Sequence, residues 1–294
     1  TNFSMECIKQ TINGSSTVSD TYVTAGTVTI SRNGDLLSQI YVKTDQETTS
    51  GINGDYLVWQ RGTAAATVTA SSTLGTYLAD RWQTWEFNDG TITQEQSALD
   101  NDDFETTGQR NALLVKCTGT DSSISAAQFA MITQIIEAQN CQGLKWGTDN
   151  AEHVTLSFWV KSNKTGTSQV NLRDGDNTRL ISATYTISSA NTWEHKVLNY
   201  AADTTGAFDN DNANSLQIEW FLDSGTDFSS GTAPTAWEAS NNPDRNANNL
   251  ALGNSTDNDF AITGVQLEVG EFTSTTLPPF QHESFGDNLR RCQR

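Results

Sequence analysis

Short runs in which apolar and polar residues alternate, each closed by glycine, asparagine or aspartate, constrain this chain more than any other feature. In "VTLSFWVKS" Leu156, Phe158 and Val160 fall on one side, and Ser157, Trp159 and Lys161 on the other. In "LQIEWFLD" Leu216, Ile218, Trp220 and Leu222 oppose Gln217, Glu219 and Phe221. A period of two places alternate side chains on opposite faces of a strand. From "INGDYLVWQRGT" onward the chain reads as such strands, the clearest being "ATVTAS", "ALLVKCT", "FAMITQIIE", "VTLSFWVKS", "SQVNLRD", "ATYTIS", "WEHKVLNY", "LQIEWFLD" and "AITGVQLEV". No segment sustains a helical period, and only "EAQNCQGLKWG" predicts a helical turn. Nine turn-punctuated strands can bury their apolar faces only as two packed antiparallel sheets, so the expected fold is all-β, a sandwich. The asparagine-rich "SNNPDRNANNLALGNSTDND" is aperiodic and predicts a loop.

A separate unit precedes the sandwich. "TVTISRNGDLLSQIYVK" carries Asn33-Gly34, which supplies the two positive-φ positions of a tight hairpin turn between alternating runs. Two strands alone are marginal in water, so residues 1–50 are expected to dock on another surface or subunit, with Arg32, Asn33, Gly34 and Asp35 as assembly residues. The polar "TDQETTSG" sets the boundary, and the sandwich is placed at residues 52–285.

Charge and composition exclude several functions. Asp and Glu total 35 against 17 Lys and Arg, a net charge of -18, which repels phosphate backbones and anionic membranes. No run of eighteen apolar residues suggests a membrane span and no leader pattern stands at the N-terminus. Cys7, Cys117, Cys141 and Cys292 lie far apart without zinc-ligand spacing; they read as free buried thiols, with one disulfide as the alternative. His153, His195 and His282 are scattered with no carboxylate or cysteine at ligand spacing, and read as surface or packing residues. No nucleophile elbow, zinc-protease, P-loop or dinucleotide motif is present, and no cofactor or metal is expected. "RDGDNTR", "DNDDFE" and "FDNDNAN" gather oxygen ligands that suit a structural calcium, but none has EF-hand spacing, and acidic turns with local hydrogen bonds explain them as well.

The outward faces of the strands supply a candidate carbohydrate-binding set: Trp159, Gln169, Asn171, Arg173, Gln217, Glu219, Gln266 and Glu268. A flat indole among amides and charges is what saccharide recognition uses, provided these strands share a surface; Trp159 and Trp193 packing between sheet and loops is the structural alternative. Glu219 and Glu268 could also meet on one face as the two acids of a glycoside hydrolase.

Two stretches resemble known viral families. "NGDYLVWQRGT", "LADRWQ", "IIEAQNCQGLKWGT", "VTLSFWVKSNKTGT", "YTISSANTWEHK", "DTTG", "FAITGVQLEVG" and "PFQHESFGDNLRRCQR" together resemble a module of tail-fibre and other virion proteins of marine tailed phages. That resemblance implies a jelly roll similar to carbohydrate-binding modules, and "AITGVQLEVG" as its last strand. It further implies that Pro278 and Pro279 halt pairing, and that residues 286–294 begin a connecting segment in which Arg290 and Arg291 serve assembly. "NFSMECIKQTINGS" with "VTISRNGDLLSQIYV" resembles the start of the double jelly-roll major capsid proteins of large DNA viruses, although the strands expected after Val42 do not follow. The implied protein is a non-enzymatic virion component, at the surface of a capsid or fibre, that joins other virion subunits as a homo-oligomer, a trimer by family, and binds host surface glycans. A minor capsid or cement protein without sugar binding, and a carbohydrate-active hydrolase, are the alternatives.

Overall fold

The computed structural model describes the backbone of residues 26–32 and 35–42, and residues 52–293 apart from 72 and 74. The chain divides into two compact units, residues 1–47 and 48–294. In the first, β1 (Gly26–Arg32) and β2 (Asp35–Val42) pair antiparallel, with Val28 opposite Ile40 and a register shift between Ile30 and Ser31. Arg32 and Asp35 close the ladder; Asn33 and Gly34 of the expected turn, and Cys7, lie outside the described residues.

The second unit is the sandwich. Its strands are β3 (Ala66–Thr67), β4 (Trp82–Phe87), β5 (Thr91–Ala98), β6 (Asn111–Gly119), β7 (Phe129–Glu137), β8 (Val154–Lys161), β9 (Gly166–Asp174), β10 (Arg179–Ile187), β11 (Glu194–Tyr200), β12 (Asn214–Ser224), β13 (Glu238–Ala239) and β14 (Asp259–Val269). Sheet I has the order β13-β10-β9-β12-β7-β4, and sheet II the order β11-β8-β14-β6-β5-β3. Every strand pairing within them is antiparallel.

The inward faces meet as the alternation requires. Leu156, Phe158 and Val160 of β8 oppose Leu216, Ile218 and Trp220 of β12 in one fully buried cluster. The Phe158 ring stands perpendicular to Trp220 at 5.5 Å and to Tyr185 at 5.3 Å, edge-to-face geometry that adds to the apolar burial. Each such side chain removed from water contributes about 1.5–3 kcal/mol.

Several expectations need correction. "INGDYLVWQRGT" is not a strand: Asn53 and Tyr56 have φ of 58° and 52°, and the segment is a buried turn. Asn53 satisfies it from within, donating from Nδ2 to the carbonyls of Val58 (2.9 Å) and Asp80 (3.0 Å) and accepting from the Val58 amide (2.9 Å). "WQTWEF" and "TITQEQSA", unread as strands, are β4 and β5; their alternation is muted because Thr84, Glu86 and Gln94 point inward. "DNDDFE" opens α1 (Asn101–Thr107), where the Asp100 carboxylate caps the Asp103 amide at 2.8 Å. "EAQNCQGLKWG" holds two short 3-10 turns, at Ala138–Asn140 and Gln142–Leu144.

The C-terminal stretch also differs. A single helical turn at Thr226–Ser229 is α2; Phe285–Cys292 is α3, capped by Ser284, and it packs back on the domain. Asn288 and Cys292 are buried, and Asn288 Nδ2 approaches the side-chain oxygens of Asn53 and Asp55 at 3.5 and 3.4 Å. Residues 286–293 thus pack on the domain, and Arg290 and Arg291 form ion pairs with Asp287 and Glu283. Cys117, Cys141 and Cys292 are buried and free. No helix of the described residues is long and apolar enough to cross a membrane.

Candidate functional site

The eight residues picked from strand alternation all lie on outward faces, but on two different ones. Gln169, Asn171 and Arg173 (β9) and Gln217 and Glu219 (β12) share the outer face of sheet I, where Glu219 sits opposite Asn171 and Gln217 opposite Arg173. Trp159 (β8), Gln266 and Glu268 (β14) are on the outer face of sheet II. The two sets face away from each other across the core. Glu219 and Glu268 therefore do not meet, which removes the paired acids that the hydrolase alternative required.

Nor is the sheet I set an open surface. The loop after β13 lies across it and satisfies its polar groups. Gln169 Nε2 donates to the Asp244 carbonyl (2.9 Å), Asn171 Nδ2 to the Arg245 carbonyl (2.7 Å), and the Asn248 amide to Gln169 Oε1 (3.1 Å). Arg245 grips Glu219 with both ends of its guanidinium, Nη2 to Oε1 at 2.7 Å and Nε to Oε2 at 3.2 Å. Gln169, Asn171 and Glu219 are consequently buried, and form a structural network in place of the expected sugar contacts. Arg173 and Gln217 sit beside it at the same face, Arg173 half-buried.

The outer face of sheet II is different. A cleft of about 190 Å³ opens there, floored by Ser157 and Trp159 of β8, His195 of β11 and Gln266 of β14. Strand register builds that floor: His195 is opposite Trp159, and Ser157 is opposite Gln266. Trp159 and His195 stack with centroids 4.8 Å apart and planes at 24°. One wall is the segment running through Pro278, Pro279 and Phe280; the other is Thr107, the last residue of α1, and Gln109 just beyond it.

A bulge in β14 shapes the cleft. The pairing with β8 slips between Thr263 and Gln266, and Gly264 takes φ of 60° there. A Cβ at Gly264 would stand 3.2 Å from Trp159 Cδ1 and 3.3 Å from Gln109 Nε2, so the missing side chain is what lets the indole and the amide come together. Gln109 is 2% exposed, and its Oε1 finds no hydrogen-bond partner among the described residues. Gln266 is held in place, donating from Nε2 to Glu268 Oε1 (2.8 Å) and to the Pro278 carbonyl (3.1 Å). Burial, and secondarily the nearby Lys196, push the His195 pKa below its ordinary value.

His195, Gln109 and Gly264 were not among the sequence candidates. His195 was read as a packing residue, because only the β8–β11 register brings it to Trp159. The glycine inside "AITGVQLEV" was a usable sign of a bulge. Trp193 forms a buried cluster with Leu99, Ala112 and Ala261, against which Trp159 packs, as the structural alternative expected, and Trp193 does not line the cleft. A second recess of about 20 Å³ between α3 and Gly54 has room for a water and no more.

Of the three acidic stretches, two approach each other: the Asp209 amide donates to Asp176 Oδ2 at 3.1 Å, and Asn177 Nδ2 to the Ala207 carbonyl at 2.7 Å. Among the described residues no three His, Cys, Asp or Glu side chains form a group that would hold a metal.

No family model and no curated protein matches the chain. Similar solved structures include the enzymatically active domain of tailspike protein 4 from bacteriophage CBA120, at 12% identity and a TM-score of 0.33 over 64% of this chain and 19% of that one. A CBM4 module matches at 11% and 0.35 over 74% of this chain and 97% of its own. A family 11 carbohydrate-binding module from Clostridium thermocellum, solved with a β-1,3-1,4-mixed-linked tetrasaccharide, matches at 10% and 0.33 over 72% of this chain and 100% of its own. At these TM-scores none of the three carries an argument about this chain, and the ligand chemistry is argued from its own residues.

Proposed function

We propose that this protein is a non-enzymatic, surface-exposed component of a virion whose sandwich binds a host glycan in the Trp159 cleft. One observation carries the binding reading: Trp159, half-buried and stacked on His195, lines a cleft together with Ser157, Gln266 and Gln109. An apolar ring face for C–H contact, with fixed amides at its edge, is the arrangement that binds a pyranose. The virion setting is supported by the viral resemblances quoted above, and the absence of catalytic motifs favours binding over turnover.

The test is a glycan array probed with the full chain beside a correctly folded Trp159→Ala variant. Binding to a defined set of glycans that disappears in the variant is the expected result. A folded, assembled sample that binds nothing on the array would sink the reading and favour a cement role.

A further inference from the structure

We infer that the cleft takes a single uncharged ring at the end of a glycan and rejects termini bearing a carboxylate or sulfate. The inference rests on the glycan-binding reading above and narrows it to a ligand class.

Charge is the first argument. None of the residues lining the cleft is Asp, Glu, Lys or Arg. The cation nearest in register, Lys161 on the same outer face of β8, is engaged: its Nζ lies 3.1 Å from Asp103 Oδ2 and 4.8 Å from the centroid of Trp193. Lys196, next to His195, is bound to Glu194 Oε2 at 2.6 Å and to the Thr186 carbonyl at 2.5 Å. Burial, and secondarily Lys196, lower the His195 pKa and so disfavour its cationic form. An anionic sugar entering the cleft would shed hydration with no cation to replace it, and would do so on a protein already carrying -18.

Size is the second. An apolar protein cavity of roughly 150 Å³ accommodates a benzene ring, and clefts for drug-sized ligands begin at about 300 Å³. At about 190 Å³ the cleft suits one substituted six-membered ring and is too small for a run of several. Walls on both sides, Gln109 on one and Pro278 to Phe280 on the other, leave the rest of a chain outside.

Hydrogen-bonding capacity is the third. Gln109, Ser157 and Gln266 line the cleft with uncharged amide and hydroxyl groups, which suit the hydroxyls of a neutral ring. Gly264 lets Trp159 and Gln109 approach each other at the floor of the cleft.

The experiment uses the full chain and glycan pairs that differ only at the terminus: a neutral hexose, the same glycan capped with a sialic acid, one with the terminal hexose oxidised to a uronic acid, and one sulfated. Neutral termini are expected to bind, and each acidic change to weaken binding at least tenfold at pH 7. Gln109→Leu, which keeps the volume and removes the amide, should weaken neutral binding tenfold or more without lowering the thermal midpoint. Gly264→Ala should abolish it. Acidic termini bound as tightly as neutral ones would overturn the inference while leaving glycan binding intact. So would binding to the interior of a long polysaccharide with no dependence on its ends. Absence of binding to every glycan would remove the broader reading, and this one with it.

Discussion

Glu219 and Arg245 form a two-pronged ion pair, 2.7 and 3.2 Å, between the middle of β12 and the loop that covers sheet I. The Glu219 side chain has no solvent exposure and that of Arg245 only 13%, so this is a buried pair. Removing one partner strands a charge in the interior, which costs about 3–5 kcal/mol, whereas replacing both with apolar residues is often close to neutral. Arg245→Met is therefore expected to lower unfolding stability by about 3–5 kcal/mol, and Glu219→Leu combined with Arg245→Met to restore most of it. Denaturant unfolding at constant m-value reads both. A loss under about 1 kcal/mol in the single variant would mean that the loop is held by its other hydrogen bonds.

Glu86 points into the space between the sheets from β4, is 2% exposed, and has an Oε1 without a hydrogen-bond partner among the described residues. Burial raises its pKa from 4.5 to about 7, against a smaller opposing effect of a backbone hydrogen bond from Ile92. The native state thus holds a proton that the unfolded chain releases at lower pH, so native stability falls as pH rises between about 4.5 and 7. Glu86→Gln should flatten that part of the pH–stability curve, leaving the variant the more stable of the two at pH 8 and much closer to wild type at pH 4.5. Parallel curves for the two proteins would assign the slope to other groups.

What the sequence disclosed and what it withheld divide along one physical line. Inward and outward faces in β8, β9, β12 and β14 are legible because Leu156, Phe158, Ile218, Trp220 and their neighbours alternate with mostly polar residues, Trp159 and Phe221 excepted. Strand neighbours were not legible, since hydrogen bonding pairs β14 with β6 and β8, and β12 with β7 and β9, across long sequence separations. Hence alternation alone allows Glu219 and Glu268 to meet although they lie on opposite faces, and gives no sign that register sets His195 against Trp159. The cover over sheet I was hidden for another reason: Asp244, Arg245 and Asn248 use backbone atoms for much of their binding, and backbone groups leave no signature in an asparagine-rich loop. "NGDYLVWQRGT" and "LADRWQ", which carried a family resemblance, turn out to be one knot. The Asp80 carboxylate accepts from the Gln60 amide (2.6 Å), Gln60 Nε2 (2.8 Å) and Arg61 Nη1 (3.1 Å).

The thiols give a local probe of α3. Cys141 lies in the main core and Cys117 on a central strand, whereas Cys292 is buried only by the last turn of an eight-residue helix. Burial raises the pKa of all three, that of Cys292 to about 12, so none reacts readily while covered. A short helix laid on the surface of a domain opens at lower free energy than a core strand. In a Cys7→Ser background, a thiol reagent should modify Cys292 well before Cys117 or Cys141, and Asn288→Ala, which removes the buried amide that faces Asn53 and Asp55, should speed that first step alone. Simultaneous labelling of all three would show that α3 opens only with the whole domain.

Gly54 offers a way to perturb the cleft without touching it. Its carbonyl accepts from the Val265 amide at 2.9 Å, on the bulge that carries Gly264. A Cβ at residue 54 would fall 2.0 Å from the Val265 carbonyl oxygen. That neighbour is backbone and has no rotamer to change, so Gly54→Ala must push the bulge itself, at a cost of about 1–3 kcal/mol for forced overpacking. Moving Val265 moves Gly264, and with it the gap that Trp159 and Gln109 share. Gly54→Ala is therefore expected to weaken ligand binding along with stability, although residue 54 does not line the cleft. Ala79→Gly is the control: it removes a fully buried methyl in the same turn region, and should lower stability by about 1 kcal/mol while leaving affinity unchanged. Equal affinity losses in the two variants would mean that binding tracks global stability and not the shape of the bulge.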